Sequence, residues 1–190
     1  MDTNILKNEF YECIKAALGQ FSKTEQNNDV YALALDCDSD GGQICLRYNN
    51  TARFTERIPE YQKYYIKYGW KVYGLHGSEY DVGEFAFIEY QRSGLVKHFL
   101  DSYYYYAIGD YYGEGEPIEE IRDHYHEIFW DMVESTIQRL KPELKEIGID
   151  AAEHIIFFYC DHDQSEEDMD KMKSHTVDSE LMTKLIAKES

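Results

Sequence analysis

Long apolar runs are missing from this chain of 190 residues. No stretch approaches the roughly 20 residues that a bilayer-spanning helix needs. The first twenty residues scatter Asp2, Lys7, Glu9, Glu12 and Lys15 among apolar positions, which breaks up the apolar core of a secretion signal. A cytoplasmic protein with no membrane contact is the expectation. Paired cysteines are missing too. Cys13, Cys37, Cys45 and Cys160 show no C-x-x-C metal spacing. Cys37 and Cys45 can face each other across a hairpin if the register allows, but without a secretion signal reduced thiols are expected. Bases are scarce: 19 Lys and Arg stand against 37 Asp and Glu, for a net charge of −18. The lysines, among them Lys63, Lys67, Lys71, Lys97, Lys141 and Lys145, are dispersed. Nucleic acid and anionic lipid both need clustered Lys and Arg, so both are excluded as expected partners. A field of this sign attracts a basic protein or a metal cation.

Apolar and aromatic residues are present in globular proportion, 43% hydrophobic and 15% aromatic. One domain spanning residues 1–190 can bury about 70% of the surface of its unfolded chain. Leu6, Phe10, Cys13, Ile14, Ala17, Leu18 and Phe21 recur at helical spacing from about Thr3 to Phe21. Val30 to Leu35 reads as a strand apolar on both sides, with Val30, Ala32 and Ala34 on one and Tyr31, Leu33 and Leu35 on the other, so it belongs inside a sheet. The turn Asp38-Ser39-Asp40-Gly41-Gly42 leads to a second strand, Gln43 to Tyr48, and predicts a β-hairpin. Pro59 suits the first turn of a helix that carries Tyr61, Tyr64, Tyr65 and Tyr68 on one face. Glu84 to Tyr90 alternates as a third strand. Ser93 caps a helix through Tyr106, and Pro117 opens the longest helix, with an unbroken apolar stripe to Leu140. His154 to Cys160 is a fourth strand; Ser165 and Asp178 cap two further helices. The fold class is α+β: a single mixed or antiparallel sheet of about four or five strands, including the hairpin, with helices packed on it.

Four groups of residues carry candidate chemistry. Asp36-Cys37-Asp38-Ser39-Asp40-Gly41 opens like a calcium loop, which makes Asp36, Asp38 and Asp40 the metal candidates. Its twelfth position, where a bidentate carboxylate belongs, is Arg47, and hairpin strands replace the flanking helices. The competing account is an acid-decorated turn. Cys160-Asp161-His162-Asp163 ends an apolar strand, with Cys160 and His162 two apart as a thiolate–imidazole pair requires; the surrounding acids work against a thiolate. Glu120, Asp123, His124, His126 and Glu127 cluster on the long helix, better suited to surface pairing than to a metal. Tyr103, Tyr104, Tyr105 and Tyr106, followed by Tyr111 and Tyr112, surround a helix with rings; core packing and a protein interface both account for them. With Asp161 and Asp163 these tyrosines are the binding candidates.

The stretch Asp29-Val30-Tyr31-Ala32-Leu33-Ala34-Leu35-Asp36, the step Tyr48-Asn49-Asn50-Thr51, the tryptophan segment Trp70-Lys71-Val72-Tyr73, and Ile155-Ile156-Phe157-Phe158 before an acidic helix resemble the bacterial domain of unknown function 4303 family. The resemblance implies a bacterial cytoplasmic protein and brings no catalytic residues with it. Two functional expectations remain open. One is a non-enzymatic binding protein, such as an immunity-type neutraliser, for a basic partner, with no cofactor. The other is a metal-assisted or carboxylate-based hydrolase that uses Asp36, Asp38 and Asp40 with Asp161, His162 and Asp163.

Overall fold

The computed structural model describes residues 2–39, 41–103, 119–161 and 164–189. Helix α1 (Thr3–Phe21) precedes the hairpin strands β1 (Val30–Asp38) and β2 (Gln43–Asn50). Helix α2 (Thr51–Tyr68), strand β3 (Ala86–Ile88), helix α3 (Gly94–Tyr103), helix α4 (Glu119–Leu140) and the short α5 (Leu144–Ile147) follow. Strand β4 (Ala151–Asp161), α6 (Glu166–Thr176) and α7 (Ser179–Ala187) complete the order. The sheet is mixed, ordered β3-β2-β1-β4, with β1 antiparallel to β2 and parallel to β4. This is the α+β fold expected from the sequence, at four strands.

β1 is central, as its two apolar faces require, and it is longer than its sequence pattern indicated because Asp36 and Asp38 continue the ladder. A register shift between Val30 and Ala32 changes the assignment of its sides. Leu33, Leu35 and Cys37 join Phe157 and Tyr159 in one core with α1, α3 and α4, and Val30 packs on this side. Tyr31 joins Ala32 and Ala34 on the other side, with Ile156, Phe158 and Cys160, covered by α2, the 72–85 segment and α7. The small alanines leave room for the large rings of Tyr31, Phe54, Tyr80 and Phe158. Leu33, Leu35 and Phe157 are fully buried, so truncating any of them to alanine costs about 2–5 kcal/mol.

Caps fix the helix starts. Asp2 accepts from the amides of Asn4 and Ile5, Ser165 from Asp168, and Asp178 from Glu180 and Leu181. Helix α2 begins eight residues before Pro59 because Asn50, at the end of β2, accepts from the Arg53 amide at 2.8 Å. Pro59 lies inside it and cannot donate to the Thr55 carbonyl, a defect placed on the exposed side. β3 is shorter than the expected strand. The helix starts expected around Pro117 and the end expected at Tyr106 fall outside the described residues. No described helix is long and apolar enough to cross a membrane.

Candidate functional site

The parallel pairing of β1 and β4 sets Asp36 beside Cys160 and Cys37 beside Asp161. The two acid-bearing segments singled out in the sequence therefore meet at adjoining strand ends. The pleat then divides them: Asp36 and Cys160 belong to the face of Ala34 and Phe158, whereas Asp161 follows Cys37 and Tyr159 on the other. Asp36 is buried, and its Oδ2 lies 2.6 Å from Nε of Arg47, itself only 11% exposed. Charge and proximity hold this pair, since the N–H is not aligned on the oxygen. The residue in the twelfth place of the calcium-like loop thus neutralises the residue in its first. Asp38 accepts from the Gly41 amide at 2.7 Å, a local bond that closes the hairpin turn. Asp161 accepts from the amide of Ser39 at 2.8 Å and from the Ser39 hydroxyl, which ties the hairpin turn to the end of β4. Among the described residues no group of three or more His, Cys, Asp or Glu is arranged to hold a metal ion. Asp40, His162 and Asp163 lie outside the described residues.

The Cys160 thiol is pushed up to about 12, chiefly by burial and further by the Asp36 carboxylate, with Lys173 and Arg47 acting the other way. Cys37 is also raised by burial, and all four cysteines are free. Register explains the missing bridge: Cys45 stands opposite Asp36 and Cys37 opposite Ile44, so the two sulfurs leave opposite faces.

Beside Cys160 lies a cavity of about 190 Å³ that the sequence did not reveal, walled by Leu75, His76, Tyr80, Phe158, Asp170 and Lys173. Lys173 is 4% exposed, with its ammonium 5.4 Å from the Phe158 ring centre. His76 enters from the loop after α2. Its Nε2 meets Asp170 Oδ2 at 2.7 Å and its Nδ1 meets Glu189 Oε1 at 2.9 Å. Burial opposes its charge, yet the bonds to Asp170 and Glu189 prevail and raise its pKa. Glu189 is lowered: burial works against that, while Lys71 at 2.7 Å and the amide and ring of His76 outweigh it. With both ring nitrogens engaged, His76 clamps three segments together and has no lone pair free to accept a substrate proton.

The tyrosines divide. Tyr103, expected at a contact surface, is fully buried, with its hydroxyl 2.7 Å from His126 Nδ1 and its ring against Phe99 and Phe129. Its place at the inward end of α3 is the reason. Tyr104, Tyr105, Tyr106, Tyr111 and Tyr112 lie outside the described residues. Of the four tyrosines expected on one face of α2, Tyr61 is buried, whereas Tyr65 and Tyr68 are 57% and 52% exposed. The second half of α2 buries no residue after Tyr61, so its rings lose their cover. Tyr64, Tyr68 and Trp70 stack on one another there, with centroids 5.2–6.3 Å apart, and neighbouring Ile66 is 82% exposed.

Helix α4 supplies the longest acidic feature. Glu120, Asp123, Glu127, Asp131 and Glu134 recur at intervals of three and four, which places them on one line about 21 Å long. The first four are exposed. Asp123 lies 3.4 Å from Arg122 Nε, Asp131 pairs with Lys7, and Glu134 lies 3.2 Å from His175 Nδ1. His126 turns inward to Tyr103 while His124 is exposed, so the helix histidines do not converge.

The sequence matches no family model, no curated protein and no solved structure.

Proposed function

We propose that this chain is a binding protein for a cationic protein partner, met along the carboxylate line of α4. In this reading it works without a cofactor, in the bacterial cytoplasm, as the resemblance to the domain of unknown function 4303 family implies; an immunity-type role against a basic toxin is its concrete form. The line Glu120-Asp123-Glu127-Asp131-Glu134 carries the proposal, because it concentrates negative charge along an exposed edge of a body at −18. Such a field speeds encounter with a cation-bearing surface and sets its orientation. The state of the reactive groups supports binding over catalysis: the Cys160 thiol is protonated, Asp36 is matched by Arg47, and His76 is held by two carboxylates.

The test is capture from the source cell on immobilised chain, with identification by mass spectrometry. A Glu120→Lys, Asp123→Lys, Glu127→Lys variant serves as the control. A basic protein retained by the parent and lost by the variant supports the proposal. Retention of the same proteins by both, or of acidic proteins only, refutes it.

The hydrolase reading keeps one observation in its favour, the meeting of Asp36, Cys160 and Asp161 at adjoining strand ends. It requires carboxylates that the fold sends to opposite faces. Magnesium- or manganese-dependent turnover of an ester or phosphodiester, abolished by Asp36→Asn, would restore it.

A further inference from the structure

The segment from Thr51 to Tyr73 inverts the charge of the molecule. It holds Arg53, Arg57, Lys63, Lys67 and Lys71 against only Glu56 and Glu60, in a chain where acids outnumber bases 37 to 19. The lysines that look dispersed along the sequence gather on α2 and its exit. The same segment carries the exposed Tyr65, Ile66, Tyr68 and Trp70. Its inner face buries Phe54 and Tyr61 and packs the partly covered Ile58 and Tyr64 beside them, which leaves the opposite side of the helix uncovered.

The charges along that uncovered surface are ordered. Glu56, Glu60, Lys63 and Lys67 are spaced four, three and four apart, so they share a solvent-facing stripe about 60° wide. All four are exposed. The stripe reads acid, acid, base, base. Among the described residues, no ion pair involves Glu56, Lys63 or Lys67. A second copy of the helix, laid antiparallel about a two-fold axis between Tyr61 and Gln62, sets Glu60 against Lys63 and Glu56 against Lys67, each pair twice.

We infer that this face of α2 is an isologous contact with a second copy of the chain. Two bodies at −18 repel each other across most of their surfaces, and this segment is where like meets like without that penalty. Exposed ion pairs contribute little attraction individually, so their role is to set direction and register. Attraction comes from the flanks. In an antiparallel pair each flank meets its own copy, which brings Ile66 and Pro59 together on one side and Tyr64 toward the Tyr64 of the second copy on the other. The contact spans about 17 Å of helix, the scale of a weak dimer. It is separate from the α4 line and stands or falls independently of the binding proposal.

Sedimentation velocity on the full chain at about 100 µM tests it. At an ionic strength of about 0.15 M, where the Debye length is about 8 Å and the repulsion between two bodies at −18 is screened, the expected species has twice the chain mass. Lys63→Glu with Lys67→Glu abolishes the dimer. Swapping all four, Glu56→Lys, Glu60→Lys, Lys63→Glu and Lys67→Glu, leaves the net charge unchanged and restores it, because the reversed stripe is again self-complementary. Ile66→Gln weakens it at constant charge. Far-UV circular dichroism verifies that each variant is folded. A parent chain that stays monomeric at that ionic strength, a dimer indifferent to Lys63→Glu with Lys67→Glu, or a folded four-fold swap that stays monomeric overturns the inference.

Discussion

Arg47 reaches diagonally across the β1–β2 ladder to Asp36, with Nε 2.6 Å from Oδ2, although its direct partner in the register is Ala34. The short alanine clears the path. Both charges are withdrawn from water, so each depends on the other. Asp36→Ala strands a buried guanidinium and is expected to cost about 3 kcal/mol in urea unfolding. Replacing the two together, Asp36→Leu with Arg47→Leu, is expected to recover most of that loss. A loss below about 1 kcal/mol for Asp36→Ala would mean that water reaches the pair.

Thiol reactivity follows burial. Cys37 and Cys160 are buried, with their thiols raised, while Cys13 and Cys45 are partly accessible, although partial burial raises the Cys45 thiol as well. Brief alkylation of the native protein at pH 8, followed by peptide mass spectrometry, is expected to label Cys13 and Cys45 and spare the other two until denaturant is added. Rapid labelling of Cys160 would contradict its protonated, buried state.

The His76 clamp has a definite pH window. The raised pKa of His76 means that its stabilisation is complete below its ordinary value of 6.5 and is lost as pH rises through the higher folded value. The lowered pKa of Glu189 means that its share is present above 4.5 and is lost as pH falls through the lower folded value. The clamp is therefore strongest between those limits. His76→Ala is expected to destabilise the protein at pH 6 and to approach the parent in stability at alkaline pH. A deficit of the same size at both pH values would rule out the charged form.

Gly74 adopts φ +85°, and a Cβ there would stand 2.6 Å from the Leu185 carbonyl and 2.3 Å from Cγ of Glu189. Its amide donates to Glu79 at 2.8 Å. Gly74→Ala combines backbone strain with displacement of the clamp, and an unfolding loss of about 1–3 kcal/mol is expected. Faster hydrogen exchange over residues 71–79 is expected with it. An unchanged stability would show that α7 can move aside freely.

Legibility in the sequence followed the range of the interaction. The apolar period of α1, the double-faced apolar strands β1 and β4, and the caps Ser165 and Asp178 are local signals, and each led to the right element. Pro59 is a more familiar helix start than Asn50, yet Asn50 is the cap that sets where α2 begins. Tyr61 and Tyr65 look alike in sequence; only the tertiary packing around α2 separates a buried ring from an exposed one. The meeting of Asp36 with Cys160, and the parting of Asp36 from Asp161, depend on a parallel pairing across more than a hundred residues. His76, Asp170 and Glu189 come from three separate segments, and no spacing announces them. The ordered charges of α2 were visible in the sequence, but their exposure was not.

In the proposed function the α4 carboxylates recruit a cationic protein. The most direct measurement is the association rate of the captured partner with the parent chain and with a Glu120→Gln, Asp123→Asn, Glu127→Gln variant, each across a salt series. The expected parent rate falls steeply with salt, and the variant is at least about tenfold slower at low salt with a shallow dependence. Equal rates and equal salt dependence for the two proteins would contradict it.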